Sequence, residues 1–439
     1  MNNQHPSNPL ALNLRHVALA SVLCCTSLAQ AQTGSSVTLY GLVDVGITSV
    51  SGLKAGTVTQ VASGIMEGSR WGLKGNEDLG GGYRTIFTLE ARVEADTGGL
   101  SNRPISGSQL SDRFSQAPLL GLTSPSPLLQ GAYQSAVNGV GALLAAQFGV
   151  NVVGNVFDRQ AYVGLVTPVG AVLAGRQYTS AYETFGTYDI MATQSGLSAA
   201  QLVQFPSAFG IRTSNALSYR IVKDGISGSL MYAPGESAQG GDRNRLLGIN
   251  VGYKTDAFSV GFGYDTRNNE LGEKTLTTAV LGASMNFGSS SVNSLVAQIT
   301  DDNPSGLSVI AAALTPQLAG LGPLAAPTAA LVQSKFIDAF KQDGTLFHIG
   351  YRYGTGPHTV SVAYNSYNDS RPADADVRSV GVAYSYALSK RTDLNAVAVR
   401  FDNKNLSQVA PGGNGYLGGV TASAGTDSTG LAFGIRHRF

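Results

Sequence analysis

Hydrophobic and polar residues alternate with a period of two in many separate segments of this chain. The segment FSVGFGY at 258–264 carries its aromatic and aliphatic residues on one face and only serine and glycine on the other. The segments LFHIGYRY at 346–353 and SVGVAYSY at 379–386 repeat the pattern. Such alternation is typical of β-strands with one apolar and one polar face. We therefore predict a structure built mainly from strands.

Sixteen segments of this kind follow one another from Val37 to the C-terminus. An even number of antiparallel strands brings both ends of the chain to the same side of the sheet. The predicted strands lie near 37–50, 64–75, 83–96, 158–167, 170–178, 212–222, 226–234, 245–254, 257–268, 276–287, 292–301, 344–353, 358–368, 377–387, 392–403 and 428–439.

Short and long connections alternate between these strands. Every second connection is a tight turn, such as TPVG at 167–170 or GTGP at 354–357, and the others are long and polar. Short turns at one rim and long loops at the other are the pattern of an outer-membrane β-barrel. A β-propeller would instead show a repeat of about forty residues, and the sequence has no such repeat.

The bilayer gives a physical reason for this fold. In lipid every backbone N–H and C=O group needs a partner, so a spanning sheet must close into a barrel. An eight-stranded barrel is filled by its own side chains, whereas sixteen strands leave an aqueous channel. The predicted fold class is all-β: a 16-stranded antiparallel transmembrane β-barrel, with residues 32–439 as its single domain.

Two inserts interrupt the regular spacing of strands. The second-loop insert, 97–157, is rich in Ser, Gly, Leu and Pro. The sixth-loop insert, 303–343, is rich in Ala and Leu, and three prolines at 316, 323 and 327 prevent one continuous helix. For this insert we predict short external helices packed over the barrel mouth. A buried spanning helix is the less favoured alternative.

Residues 1–31 are predicted to be a cleaved signal peptide. Arg15 precedes an apolar core, and AQA at 29–31 offers a cleavage site with small residues. The core is too short for a transmembrane anchor. A lipoprotein signal ending at Cys24 is an alternative, although Val22 and Leu23 fit it poorly. Export through this leader predicts a location in the outer membrane.

The composition excludes several other functions. Both cysteines lie in the leader, so the exported chain would have neither disulfides nor thiol chemistry. Without the leader, 29 − 1 = 28 basic residues balance 28 acidic residues, which gives no reason to expect nucleic-acid binding. The three remaining histidines are far apart in sequence, and no nucleophile or nucleotide motif occurs. We therefore expect no metal, no cofactor and no enzymatic activity.

Several segments also resemble one known family. They are SSVTLYGLVDVGI at 35–47, SRWGLKGNEDLGGGYRTIFTLE at 69–90, DRQAYVGL at 158–165, AGRQYT at 174–179 and LSKRTDLNAVAVRFDN at 388–403, with GIRHRF at the end. Together they resemble the general porins of Gram-negative bacteria, of the betaproteobacterial type. The resemblance implies a homotrimer of sixteen-stranded barrels among outer-membrane lipid and lipopolysaccharide, which passes ions and small hydrophilic solutes. The two inserts depart from the family pattern.

The resemblance also implies a pore constriction. In that family the third loop, here 180–210, folds into the lumen opposite a wall of arginines. Parity places Glu90 on the lumen face with Thr88. An arginine facing lipid near the middle of the membrane would cost roughly 2–4 kcal/mol, which favours water or protein around these side chains. The predicted constriction residues are Arg70, Arg159, Arg176 and Arg212 on the basic side and Glu183, Asp189 and Glu90 on the acidic side.

Two alternatives apply to these charges and to the C-terminal strand. Some of the arginines could be ordinary rim or loop charges that contact lipopolysaccharide phosphates. The C-terminal segment GLAFGIRHRF alternates like a strand that closes a barrel against its first strand, and its terminal Phe439 looks like the signal that outer-membrane assembly machinery recognises. A strand of a soluble sandwich is the alternative for this segment.

The function that we predict is a water-filled channel for passive diffusion of ions and small hydrophilic solutes. Two alternatives stay open. One is a substrate-selective channel of the same fold, for example for organic acids, with the sixth-loop insert as a lid. The other is a plugged outer-membrane barrel that acts as an adhesin or an enzyme.

Overall fold

The computed structural model describes most of the chain after the predicted leader. The leader itself lies outside the described residues. None of the helices in the described part combines the length and the apolar composition of a membrane-spanning helix. The described residues are 35–105, 109–147, 149–192, 195–203, 210–238, 240–412 and 418–439.

Seventeen strand segments form one antiparallel sheet that closes on itself. From β3 to β17 each strand pairs with the next one in the chain, and β1 pairs with β2, β3 and β17. The strands are β1 (Ser36–Leu53), β2 (Gly56–Ser63), β3 (Arg70–Gly80), β4 (Tyr83–Arg92), β5 (Gln160–Thr167), β6 (Gly170–Tyr178), β7 (Arg212–Lys223), β8 (Ile226–Ala233), β9 (Leu246–Lys254), β10 (Phe258–Asn268), β11 (Lys274–Phe287), β12 (Ser290–Asp301), β13 (Gln342–Thr355), β14 (His358–Asp369), β15 (Val377–Ala387), β16 (Thr392–Asn403) and β17 (Ser428–Arg438).

The barrel has sixteen strands because β2 and β3 together form its second strand. Both pair with β1, β2 with its second half and β3 with its first half. The single strand predicted at 64–75 is therefore wrong: residues 64–69 form an inward turn between β2 and β3. The turn is stable because the buried Asp44 carboxylate accepts the backbone N–H groups of Ile65, Met66 and Glu67 at 2.7–3.2 Å.

The alternation predicted from the sequence separates the two faces of the barrel wall. On β10, Phe258, Val260 and Phe262 are each about two-fifths exposed, whereas Ser259 is buried. Most of the exposed large aliphatic and aromatic residues lie on this outer face of the strands. A continuous apolar outer face is what a transmembrane barrel presents to lipid.

The C-terminal strand closes the ring. β17 pairs with β1 from Leu42 opposite Arg438 to Val50 opposite Gly430. Phe439 continues this pairing, since its N–H and C=O groups bond to Gly41 at 3.1 and 3.2 Å. Its ring occupies the space where a Cβ atom at position 41 would stand.

The third loop carries helix α3 (Ser180–Tyr188) and a short 3-10 turn (Ala199–Leu202). The helix packs on the face of β10 and β11 opposite to the exposed apolar residues, with the Tyr188 ring over Gly261 and Gly282. Further along, the buried His348 of β13 accepts the N–H of Ile190 at its Nε2 atom, 2.9 Å away. The described part of this loop therefore lies against the inner wall.

Both inserts contain helices in their described residues. The second-loop insert contains α1 (Asp112–Ser115), a 3-10 turn (Ala117–Leu120) and α2 (Pro127–Gln147). The sixth-loop insert contains α4 (Ile310–Leu314), a 3-10 segment (Pro316–Leu324) and α5 (Ala325–Phe340). The prediction of several short helices in the sixth-loop insert is confirmed. α5 tolerates Pro327 because that residue stands in its first turn.

Candidate pore-lining site

The Glu90 carboxylate lies at the centre of a charged cluster on the inner wall. Tyr40 of β1 donates its hydroxyl to Glu90 Oε2 at 3.0 Å, and Arg70 Nε of β3 lies 3.6 Å from the same oxygen. Arg159, just before β5, donates from Nε to Oε1 at 2.7 Å. Both carboxylate oxygens are thus used, and Glu90 and Arg159 are only 5% and 6% exposed.

Tyr178 extends this cluster towards β7. Its hydroxyl oxygen accepts from Arg159 Nη2 at 3.2 Å and from Arg212 Nη2 at 3.3 Å. The guanidinium carbon of Arg212 also lies 4.8 Å from the centre of the Tyr178 ring, in the range of a cation–π interaction. One phenol therefore holds two like-charged groups close together.

Glu67 extends the cluster in the other direction. The inward turn 64–69 presents this carboxylate to Arg70 at 3.0 Å and to Arg436 and Arg438 of β17 at 2.8 Å each. Asp393 of β16 bonds the same two β17 arginines at 2.9–3.0 Å. We call the whole set the basic cluster: Arg70, Arg159, Arg212, Arg436 and Arg438, with Glu67, Glu90 and Asp393 and the phenols of Tyr40 and Tyr178.

The remaining predicted constriction residues lie outside the basic cluster. Arg176 donates to the Asp158 carbonyl oxygen at 2.6 Å and to Ser214 Oγ at 2.9 Å. Glu183, in the first turn of α3, pairs with Arg220 of β7 at 2.7 Å. No ion pair is found for Arg176 among the described residues, whereas the charge of Glu183 is locally balanced.

Asp189 has a different environment from the other candidates. It is buried, and its two oxygens accept from the N–H of Met191, the hydroxyl of Ser198 and the N–H of Ala199 at 2.7–3.0 Å. All three partners belong to the third loop itself. Asp189 therefore fixes the local conformation of that loop.

Sequence reasoning missed Glu67, Tyr178 and the β17 arginines as members of this cluster. Glu67 was placed inside a predicted strand, although the glycines at 64 and 68 around it are a turn signal. The contact between Glu67 and Arg436 joins residues 369 positions apart and exists only because the barrel closes. No local pattern could have revealed it.

The described residues include no group of three or more His, Cys, Asp or Glu side chains that could hold a metal ion. The chemistry of the basic cluster is instead electrostatic. Guanidinium groups keep their charge at physiological pH. On the wall of a water-filled lumen they attract anions and repel cations.

The closed sheet of sixteen strands, apolar outside and charged inside, defines a transmembrane channel of the β-barrel class. A sequence profile of the Gram-negative porins matches residues 17–406. The chain therefore belongs to the Gram-negative porin family, as the resemblance predicted.

Known proteins cover nearly the whole chain. Outer membrane porin protein 32 of Delftia acidovorans is 26% identical over 443 residues, 96% of this chain and 99% of that protein. The anion-selective porin from Comamonas acidovorans shares the fold, with a TM-score of 0.65, 24% identity and coverage of 92% of this chain and 100% of that one. OmpT of Vibrio cholerae in its trimer form has a TM-score of 0.54 and 12% identity, with coverage of 92% and 100%.

These findings confirm the predicted barrel and the outer-membrane location. The protein is an outer-membrane porin that forms a channel, and its similar proteins are porins and outer-membrane proteins rather than enzymes. Solved structures with the same fold include a trimer.

Proposed function

We propose that this porin is a passive diffusion pore that favours small anions over cations. The observation that carries the proposal is the composition of the basic cluster. Its hydrogen bonds and ion pairs link five arginines to three carboxylates, so the cluster itself has an excess of 5 − 3 = 2 positively charged groups. The similar Comamonas acidovorans structure is that of an anion-selective porin, which supports the same preference here.

The narrowest part of the pore, in this proposal, lies between the third loop and the basic cluster. The arginines of the cluster are carried by β3, β7, β17 and the start of β5, whereas α3 contacts β8 to β12 on the other side of the ring. The described residues of the third loop would thus narrow the lumen from the wall opposite the arginines. In this arrangement Arg176 adds positive charge near the loop's first residues, and Glu183 adds little because Arg220 balances it.

The proposal includes the predicted export and assembly of the chain. Residues 1–31 act as the cleaved signal peptide, and the exposed Phe439 is the signal for the outer-membrane assembly machinery. The mature barrel forms a homotrimer whose outer surface contacts lipid and lipopolysaccharide. The trimer form of OmpT and the apolar outer face support this part.

Single-channel recording in a planar bilayer tests the proposal. A diffusion pore gives stepwise conductance that rises in proportion to salt concentration. Conductance that saturates and is blocked by millimolar organic acid would instead favour the substrate-selective channel. The excess of arginines is compatible with that alternative as well. A plugged barrel with another activity would give no steps at all.

A further inference from the structure

The two inserts build one hydrophobic core that is separate from the barrel interior. Nine buried residues from each insert pack together, and the rings of Phe114 and Phe340 meet at 4.9 Å between centroids. We call this unit the helical cap. Its core residues are Leu110, Phe114, Ala117, Leu120, Leu122, Tyr133, Ala136, Val137 and Val140 with Leu307, Ile310, Leu314, Leu318, Ala325, Ala329, Val332, Phe336 and Phe340.

The two halves of the helical cap start from opposite points of the barrel rim. The second-loop insert joins β4 and β5, which are the third and fourth barrel strands. The sixth-loop insert joins β12 and β13, the eleventh and twelfth. Eight strands separate these points on a ring of sixteen, so they are diametrically opposed. Two segments rooted there can share a core only if the chain extends across the mouth.

Polar contacts fix the helical cap to the rim on one side. The Asp112 carboxylate accepts from Lys54 at the β1–β2 turn at 3.3 Å and from the N–H of Ala424 in the eighth loop at 3.3 Å. Arg113 lies 3.7 Å from Asp369 at the end of β14. The cap is therefore held by the first, seventh and eighth loops.

A further contact ties the cap at the fifth loop. The Glu270 carboxylate accepts from the N–H of Gly306 at 3.1 Å and from the hydroxyl of Ser308 at 2.8 Å. Burial raises the pKa of Glu270, but a hydrogen bond with its own backbone and those from Ser308 and Gly306 together lower it more, so its pKa lies below the usual value. The carboxylate is thus charged, and bonded, at neutral pH.

We propose that the helical cap covers part of the mouth and slows the entry of larger solutes, in series with the narrower constriction below it. A unit with its own packed core holds its shape, because opening it would expose the apolar residues of both inserts to water. Large solutes must pass beside it, whereas ions pass freely. The inference rests on the proposed function, since size exclusion at the mouth matters only if the barrel is a diffusion pore.

Excision of the cap is the direct test, and the structure gives the cutting points. Asn102 and Val150 form an antiparallel bridge at the base of the second-loop insert, and Asp301 pairs with Gln342 at the base of the sixth-loop insert. Each pair can be joined by an Asn-Gly turn, which suits a two-residue hairpin. The double excision replaces 103–149 and 302–341 in the full-length protein, which is then purified from outer membranes.

Swelling of proteoliposomes in neutral sugars of increasing size measures the effect. We expect the rate for a tetrasaccharide, relative to a pentose, to rise several-fold after excision, with the KCl reversal potential unchanged. An unchanged ratio of rates would overturn the inference while leaving the diffusion pore intact. Absence of conductance from the intact protein would overturn the proposed function as well, so the two failures are distinguishable.

A point substitution opens the cap without removing it. Phe336 is fully buried in its core, so Phe336→Asp should separate the two inserts and raise the same ratio of rates. Leu324→Asp is the matched control, because Leu324 is 57% exposed on the sixth-loop insert, and it should behave like the unaltered protein. The same ratio of swelling rates in both variants and in the unaltered protein would contradict the proposal.

Discussion

The Nε atom of Arg159 lies 2.7 Å from Oε1 of Glu90, on the neighbouring barrel strand, and both side chains are buried. The other oxygen of the same carboxylate receives the Tyr40 hydroxyl and faces Arg70. The charges of the two arginines are therefore coupled through Glu90. A change at either arginine alters the electrostatics of the whole basic cluster.

Replacing Arg70 and Arg159 together by glutamine should move ion preference towards cations. Two unit charges at ~8 Å from a permeating ion change its energy by roughly 1 kcal/mol in water, of which about half remains after screening by ~0.1 M salt. The shift has opposite signs for anions and cations, so the anion-to-cation permeability ratio should fall about fivefold. The reversal potential under a KCl gradient measures this ratio.

Arg400→Gln is the control for that substitution. Arg400 is an exposed arginine that pairs with Asp402 and Asp427, away from the cluster. It should leave the reversal potential unchanged. An unaltered potential in the double variant would contradict a role of Arg70 and Arg159 in ion preference.

The double variant should also be less stable. Loss of both charged partners of the buried Glu90 should lower its free energy of unfolding by roughly 3–5 kcal/mol.

Glu67→Gln should have the opposite effect on selectivity. Removal of this carboxylate leaves Arg70, Arg436 and Arg438 with one counter-charge fewer. One charge has half the effect on the energy of a permeating ion that two charges have, so the anion-to-cation permeability ratio should rise about twofold. Asp338→Asn, on the exposed side of the helical cap, is the control. A shift towards cations would show that Glu67 does not screen the cluster.

Asp189→Asn should disturb the third loop and leave ion selectivity unchanged. The amide keeps one acceptor oxygen and loses the other, so bonds to Ser198 and Ala199 or to Met191 are lost. A buried hydrogen bond of this kind contributes roughly 1–3 kcal/mol to stability. Open-channel current noise should increase. A clear shift of reversal potential without an increase in current noise would mean that the charge of Asp189 acts on the permeating ions.

Gly282→Val should reduce single-channel conductance. A Cβ atom at position 282 would overlap the Tyr188 ring, so α3 must move away from the wall and into the lumen. Gly228→Val is the matched control, because a Cβ atom there meets its nearest neighbour at 3.5 Å. Equal conductance in the two variants would argue against a third loop that sets the pore width.

The strands could be predicted from the sequence because lipid imposes a strict alternation on them. The segments predicted at 170–178, 377–387 and 392–403 coincide with β6, β15 and β16, and the others, except 64–75, end within a few residues of the observed strands. The second barrel strand was wrong because its interruption depends on Asp44, which lies on a different strand. A period of two carries no information about such a contact.

Much less of the candidate site could be predicted. The family resemblance indicated Arg70, Arg159 and Arg212, and these three do lie in one network. The resemblance did not indicate the bonds of Glu67 with β17, because they follow from barrel closure. Asp189 was grouped with Glu183 by loop position alone, and its internal hydrogen bonds need three-dimensional information. The shared core of the two inserts likewise joins segments that are far apart in sequence.

The central claim is that this barrel is a water-filled pore whose excess positive charge favours anions. The most direct measurement is the reversal potential of the purified protein in a planar bilayer between two KCl concentrations. The account predicts stepwise conductance and a potential of the sign that chloride preference produces. Absence of steps, or a potential of the opposite sign, would contradict it.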